Sequence, residues 1–379
     1  MSNMLENQGP WLRSAVWDGF WMLSGLWLLP LLAVFAVVPG ALKSLLIVAT
    51  LLLWLSHRFA TTYNAFCTPA YRSLVSEQRG RFLWLPGVIV LLTFGFAYVP
   101  CTLVLLDPWD KIQVLGTIFF VYNSYHFGVQ HYGVLSIYRI RAGQSPYGWL
   151  KRFEKIFCVV VGGLMVAIAQ ICHGAEVVGD SIVYSLVHRD AFMSAFVLLQ
   201  PVVPVIIVIL AAVFYVGELK MGQASLPKVF YVAGLMLQGI LAYFLEPIAF
   251  LILWGVQHWM VSVALGGHMA ENDTSEIRAS SRWYGFWSRF NAFWPTVFLL
   301  CLASVVLSPF FHYAVHAQKI AEGANFLSPV LANTAISNLF IALNFSSVFV
   351  HFVMDRAIFR FSHPAVRKVS APLLFKQRA

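Results

Sequence analysis

Five histidines stand inside apolar stretches of this chain: His126 and His131 within the segment YNSYHFGVQH, and His57, His258 and His351 singly in three others. An ionisable side chain is expensive in a hydrophobic segment and usually faces a partner or a cavity. Neutral imidazole is also the commonest side-chain metal ligand, and several helices can present such ligands to one interior point. His57, His126, His131, His258 and His351 are therefore the candidate metal ligands, with His268 ranked below them. His268 follows Gly266-Gly267 and precedes Glu271, Asn272 and Asp273, a context that suggests a turn at the membrane face. For any one of these rings, a structural hydrogen-bonding or interfacial role is the competing explanation.

Spacing refines the set. His126 and Gln130 are four residues apart, about 40° round a helix, and share a face, whereas His126 and His131 diverge by about 140° and about 7.5 Å of rise. One ion could take both only if the helix were distorted, which Gly128 and Gly133 would permit; otherwise two metals are needed. His351 and Asp355 have the four-residue spacing that lets a carboxylate accept an imidazole's second N–H and fix its tautomer. An ion pair between Asp355 and Arg356 is the alternative. Asp355 and Gln130 are accordingly the expected supporting residues behind the ligands. Gln257 and Ser262 extend a polar stripe around His258, and Thr61-Thr62-Tyr63-Asn64 after His57 suggests a re-entrant or surface helix closing the site.

Such a site suits iron, copper, zinc or nickel, and open positions on iron permit oxygen chemistry. No HExxH, Walker, GxSxG or dinucleotide fingerprint occurs, so zinc peptidase, nucleotide-driven pump and serine hydrolase lack their signatures. The scarcity of carboxylates in apolar segments argues against a carboxylate-bridged di-iron bundle.

The elements that must position these residues follow from composition. The chain is 60% hydrophobic and 11% charged, too few charges to cover a water-soluble surface, which carries roughly 25%. Apolar runs of roughly 20 residues, the length of a membrane-spanning helix, recur from end to end. They lie near 15 to 38, 41 to 57, 83 to 106, 112 to 137, 154 to 172, 191 to 216, 229 to 245, 247 to 266, 290 to 311 and 330 to 354. The predicted fold class is all-α: a polytopic integral membrane protein of about ten transmembrane helices, forming one domain over 1–379. With the N-terminus inside, 21 of the 25 basic residues fall on the inner side and only Lys43, Lys111, Arg189 and Lys319 outside. That bias predicts cytoplasmic termini and an even number of spans.

On this topology the six candidate histidines share one depth near the inner ends of four spans. His173, His188, His312 and His316 fall in outer loops and His363 in a C-terminal tail. Trp and Tyr near span ends, such as Trp17, Trp84, Trp149 and Tyr284, fit an interfacial belt. The net charge of +9 is a topology signal rather than a nucleic-acid surface, since the basic residues are dispersed in short clusters between apolar runs. Cys67, Cys101, Cys158, Cys172 and Cys301 are scattered without a CxxC pair, giving neither a thiolate zinc site nor a disulfide framework. The first apolar run is long and lacks an obvious cleavage site, so it is expected to remain as a span.

The segment YNSYHFGVQH, with isolated His57, His258 and His351 on other apolar helices, resembles the polyhistidine membrane oxygenases, nearest the Brp/Blh family of carotene-cleaving dioxygenases. That resemblance implies non-haem iron, the histidines as its ligands, and oxidative cleavage of a carotenoid to retinal. The chain departs from the family in its length, in its ten predicted spans and in lacking an N-terminal Pro-His motif, and it lacks the repeated histidine boxes of membrane desaturases. The broader expectation is a non-haem iron oxidoreductase, mononuclear or dinuclear, acting on a lipid or isoprenoid-like apolar substrate in a bacterial cytoplasmic membrane. Its expected partners are the bilayer, that substrate and an electron-donor protein, with no nucleic acid. The alternatives are a proton- or solute-coupled transporter, a haem-binding electron carrier with two axial histidines, and a noncatalytic assembly subunit.

Overall fold

The computed structural model describes residues 9–37, 40–100, 108–144, 148–169, 189–221, 224–245, 247–274, 281–307 and 334–375. Among these residues all regular structure is helical. In chain order the helices are α1 (Ala15–Trp21), α2 (Ser24–Val37), α3 (Gly40–Cys67), α4 (Arg72–Glu77), α5 (Leu85–Tyr98), α6 (Pro108–Arg141) and α7 (Gly148–Val159). They continue with α8 (Arg189–Lys220), α9 (Leu226–Leu241), α10 (Pro247–Glu271), α11 (Arg282–Trp287), α12 (Phe293–Leu307), α13 (Thr334–Phe359) and α14 (Pro364–Phe375). Two π-helical turns, Gly80–Trp84 and Val160–Leu164, lead into α5 and extend α7.

The predicted apolar runs are helical over most of their described parts, with non-helical residues at Val99 and Pro100, at Ala242 to Leu245 and at Asn291 and Ala292. The first run breaks at Met22 and Leu23, dividing α1 from α2. The segment after His57 is neither re-entrant nor a separate surface helix, because α3 continues unbroken through Thr61-Thr62-Tyr63-Asn64 to Cys67. Pro39 and Glu246, in the shortest gaps between predicted runs, lie outside the described residues.

Among the described residues, three helices are long and apolar enough to cross a membrane, Gly80–Tyr98, Val197–Lys220 and Thr334–Phe359, and a fourth is obtained if Arg282–Phe290 and Phe293–Leu307, bent by 101°, count as one span. Of the other runs, the one on α9 is short at 16 residues, and the one on α6 is diluted by Tyr, Asn, Ser, His and Gln residues. On α5, Val88, Leu91 and Leu92 are exposed, and on α8 Val197, Leu198, Val205 and Ile209 are exposed. Contiguous apolar rows of this kind are unfavourable in water and compatible with lipid. The chain has the helices and outward apolar faces of an integral membrane protein.

Contacts divide the chain into two compact units, the first formed by Met1–Thr50, Phe120–Val261 and Gln377–Ala379 and the second by Leu51–Phe119 and Ser262–Lys376. In the first unit α9 packs on α8, on α2 and on the π-helical turn Val160–Leu164. Gly128 of α6 permits close packing, since a Cβ there would lie 2.5 Å from Val159 Cα. Gly163 serves the same contact from the other helix, since a Cβ there would collide with the Ser124 carbonyl oxygen of α6. The expectation that Gly128 loosens α6 is thus corrected: the helix is continuous over 34 residues, and the glycine serves helix contact.

A buried charge network ties this unit together. Glu154 of α7 accepts from Arg139 of α6 and Lys228 of α9, while Glu218 of α8 accepts from Lys228 and, at 3.0 Å, from Gln144. Lys228 also donates to Gln144 Oε1 at 3.2 Å. Two cations face two anions, so the interior carries no net charge from this cluster. Near the start of the chain, buried Asp18 accepts from the backbone of Leu12 at 2.7 Å and from the Tyr138 hydroxyl at 3.0 Å, fastening α1 to α6.

In the second unit α13 lies along α5 around a core of Ala97, Leu115, Ile341, Ala342 and Phe345. Buried Lys111 donates to the carbonyls of Ala97 at 2.9 Å and Val99 at 2.5 Å, satisfying acceptors left open at the end of α5. The stretch expected as a C-terminal tail is the helix α14. Its Ser370 pairs with Tyr71 at 2.7 Å and donates to the Ile358 carbonyl at 2.9 Å.

Candidate metal-binding histidine pairs

In the second unit, His57 of α3 and His351 of α13 are both buried, and their rings meet edge to face with centroids 4.6 Å apart. The neighbouring residue Arg58 joins the same two helices. Its guanidinium donates to Asn344 Oδ1 at 2.9 Å and Ser347 Oγ at 3.2 Å and lies 3.8 Å over the Trp54 ring. His57 Nδ1 contacts the Trp54 carbonyl of its own helix. A carbonyl only accepts, so this bond puts the proton on Nδ1 and the lone pair on Nε2.

His351 Nδ1 lies 3.4 Å from Asp355 Oδ1, the neighbour anticipated from the four-residue spacing. Asp355 is buried whereas Arg356 is exposed, so the carboxylate turns towards the histidine pair. Two imidazoles and one carboxylate thus gather on two helices of one unit. The carboxylate stands behind His351 rather than beside it as a ligand, and a pair of imidazoles suits iron and other first-row transition metals.

The first unit contains a second pair. His126 of α6 and His258 of α10 are buried with centroids 5.2 Å apart at 74°. Phe127 stacks on the His258 ring at 3.7 Å, and Gln130 Nε2 donates to the His258 carbonyl at 3.3 Å. Gln130 therefore supports the backbone carrying one ring of the pair. Gln238 donates to Gln257, and Gly25 accommodates that bond because a Cβ there would fall 2.1 Å from Gln238 Nε2. The neighbour of His258 is thereby held by α2 and α9.

The remaining candidates take other partners. His131 has a different partner from His126: its Nδ1 lies 2.7 Å from the Tyr231 hydroxyl of α9. His268 is helical rather than in a turn, and its Nε2 meets the Leu374 carbonyl of α14 at 3.0 Å and Asn272 at 3.1 Å. His363 is half-buried in the turn before α14. His173, His188, His312 and His316 lie outside the described residues.

Arg58, Tyr231 and the Glu154–Lys228 network were not anticipated as site or support residues. In sequence Arg58 and Lys228 read only as two of the inner-side basic residues, although a base at the end of an apolar run is also a residue that must find a buried acceptor. Comparison of the chain with family models, with curated proteins and with solved structures returns no match to any of them.

Proposed function

We propose that this protein is a membrane-embedded transition-metal oxidoreductase whose metal is bound by imidazole pairs, His57 with His351 and His126 with His258. The single observation that supports this reading is the buried set of His57, His351 and Asp355, in which the Trp54 carbonyl and the Asp355 carboxylate orient the two rings. Iron, in one or two ions per chain, is the proposed metal, since bound iron supplies oxygen activation and one-electron chemistry.

The substrate would be a lipid or isoprenoid-like molecule that enters from the bilayer, with electrons from a protein donor on the cytoplasmic side. Carotenoid cleavage of the Brp/Blh kind is one example. About ten spans, both termini in the cytoplasm and a bacterial cytoplasmic membrane complete the proposal.

Elemental analysis of gently purified protein tests it. The protein is expected to carry a transition metal that is lost in His57→Ala, His351→Ala, His126→Ala and His258→Ala. Protein that carries none under mild conditions, or that retains it in all four variants, defeats the proposal.

A second reading has its own support. The enclosed network of Arg139, Glu154, Lys228 and Glu218 is the type of intramembrane charge cluster that relays protons or holds a solute in transporters. Uptake or current in metal-free proteoliposomes, abolished by Glu218→Gln, would favour that reading over the oxidoreductase.

A further inference from the structure

We propose that Tyr231 is a redox-active tyrosine and that His131 is its proton acceptor. The Tyr231 hydroxyl on α9 lies 2.7 Å from His131 Nδ1 on α6, with both residues buried to 1% exposure or less. A bare phenol resists one-electron oxidation because the cation radical left behind is strongly acidic. A base already hydrogen-bonded to the hydroxyl removes that barrier, since the proton crosses the bond as the electron leaves.

The surroundings give the pair both halves of that requirement. In the tautomer with its proton on Nε2, His131 presents the Nδ1 lone pair to the phenol. Nε2 is buried and has no hydrogen-bond partner among the described residues. The transferred proton stays at Nδ1, within hydrogen-bond distance of the phenoxyl oxygen, and can return there with the electron, which makes the oxidation reversible.

A built feature holds the ring in place. The wide π-helical turn Val160–Leu164 brings Gly162 against His131, where a Cβ would lie 2.7 Å from Cδ2. Insertions of this kind into a helix concentrate at functional sites. His131 is five residues from His126 on one helix, about 7.5 Å of rise, within easy range of electron transfer.

Tyr231 gives one electron to an oxidised transition-metal ion, which is reduced by one unit; the phenol O–H bond breaks and an N–H bond forms at His131 Nδ1. The products are a neutral phenoxyl radical and an imidazolium. Only the identity of the oxidant in the cell rests on the proposed function, so the test runs on metal-free protein.

Full-length metal-free protein carrying ring-deuterated tyrosine is oxidised by photogenerated ruthenium(III) polypyridyl, which is reduced to ruthenium(II), and the radical is followed by electron paramagnetic resonance. The expected result is a long-lived tyrosyl signal, narrowed by the deuterium, that is lost in Tyr231→Phe, is shortened in lifetime in His131→Leu and persists in Tyr138→Phe. Tyr138 is an equally buried phenol, and its bond is to Asp18. Circular dichroism of each variant verifies folding, and Tyr231→Phe removes only one oxygen. An unchanged long-lived radical in Tyr231→Phe, an unchanged lifetime in His131→Leu, or no such radical in the parent protein overturns the proposal.

Discussion

At the scale of single residues, each histidine pair joins two helices and has its own support: the Trp54 carbonyl and Asp355 for His57 and His351, Phe127 and Gln130 for His126 and His258. The contact of His351 with Asp355 follows from a four-residue interval, and the different partners of His126 and His131 accord with a five-residue one. Gln130 shares a face with His126 but bonds the His258 carbonyl, because its partner depends on which helix packs there. Tyr231 was invisible for the same reason: its histidine is 100 residues away. Two outcomes follow at this scale. Asp355→Asn is expected to weaken metal binding by about 10- to 100-fold, the usual cost of losing a carboxylate behind a ligand, as read from metal retention against a competing chelator. His268→Ala is expected to leave the metal content unchanged, because that ring is engaged with Leu374 and Asn272 of the second unit's C-terminal packing.

At the scale of elements, the helices were legible because runs of roughly 20 apolar residues demand them. Their interruptions and extensions were not. The π-helical turn Val160–Leu164 leaves no signature beyond its two glycines, and α14 hid behind basic residues although Val366, Ala371 and Leu374 form a buried face. The charge network was hidden too, because its members come from α6, α7, α8 and α9. Removing Glu154 by Glu154→Ala leaves Arg139 and Lys228 buried with one anion fewer, and is expected to destabilise the protein by about 3 to 5 kcal/mol, measured as a loss of thermal stability in detergent. Gly128→Ala is expected to cost about 1 to 3 kcal/mol by overpacking, because its Cβ would meet backbone rather than a movable side chain.

At the scale of the whole molecule, composition alone defined an all-helical membrane chain, and the exposed apolar rows on α5 and α8 agree with it. The number of spans was less legible, because short apolar helices such as α9 and polar ones such as α6 resemble spans in sequence without meeting the same length and hydropathy. Part of the charge pattern that suggested the topology also has a structural use, since Arg58, Arg139 and Lys228 are buried in polar contacts. Reporter fusions after residue 379 and ahead of residue 1 are expected to report the cytoplasm for both ends; an exported end would contradict the proposed orientation. The central claim, that imidazoles bind a transition metal here, is tested most directly by X-ray absorption at the metal edge of the gently purified protein. The account predicts nitrogen and oxygen neighbours with the outer-shell scattering of histidine rings, diminished in His57→Ala and His351→Ala. A spectrum without imidazole scattering, or one unaltered by those substitutions, would contradict it.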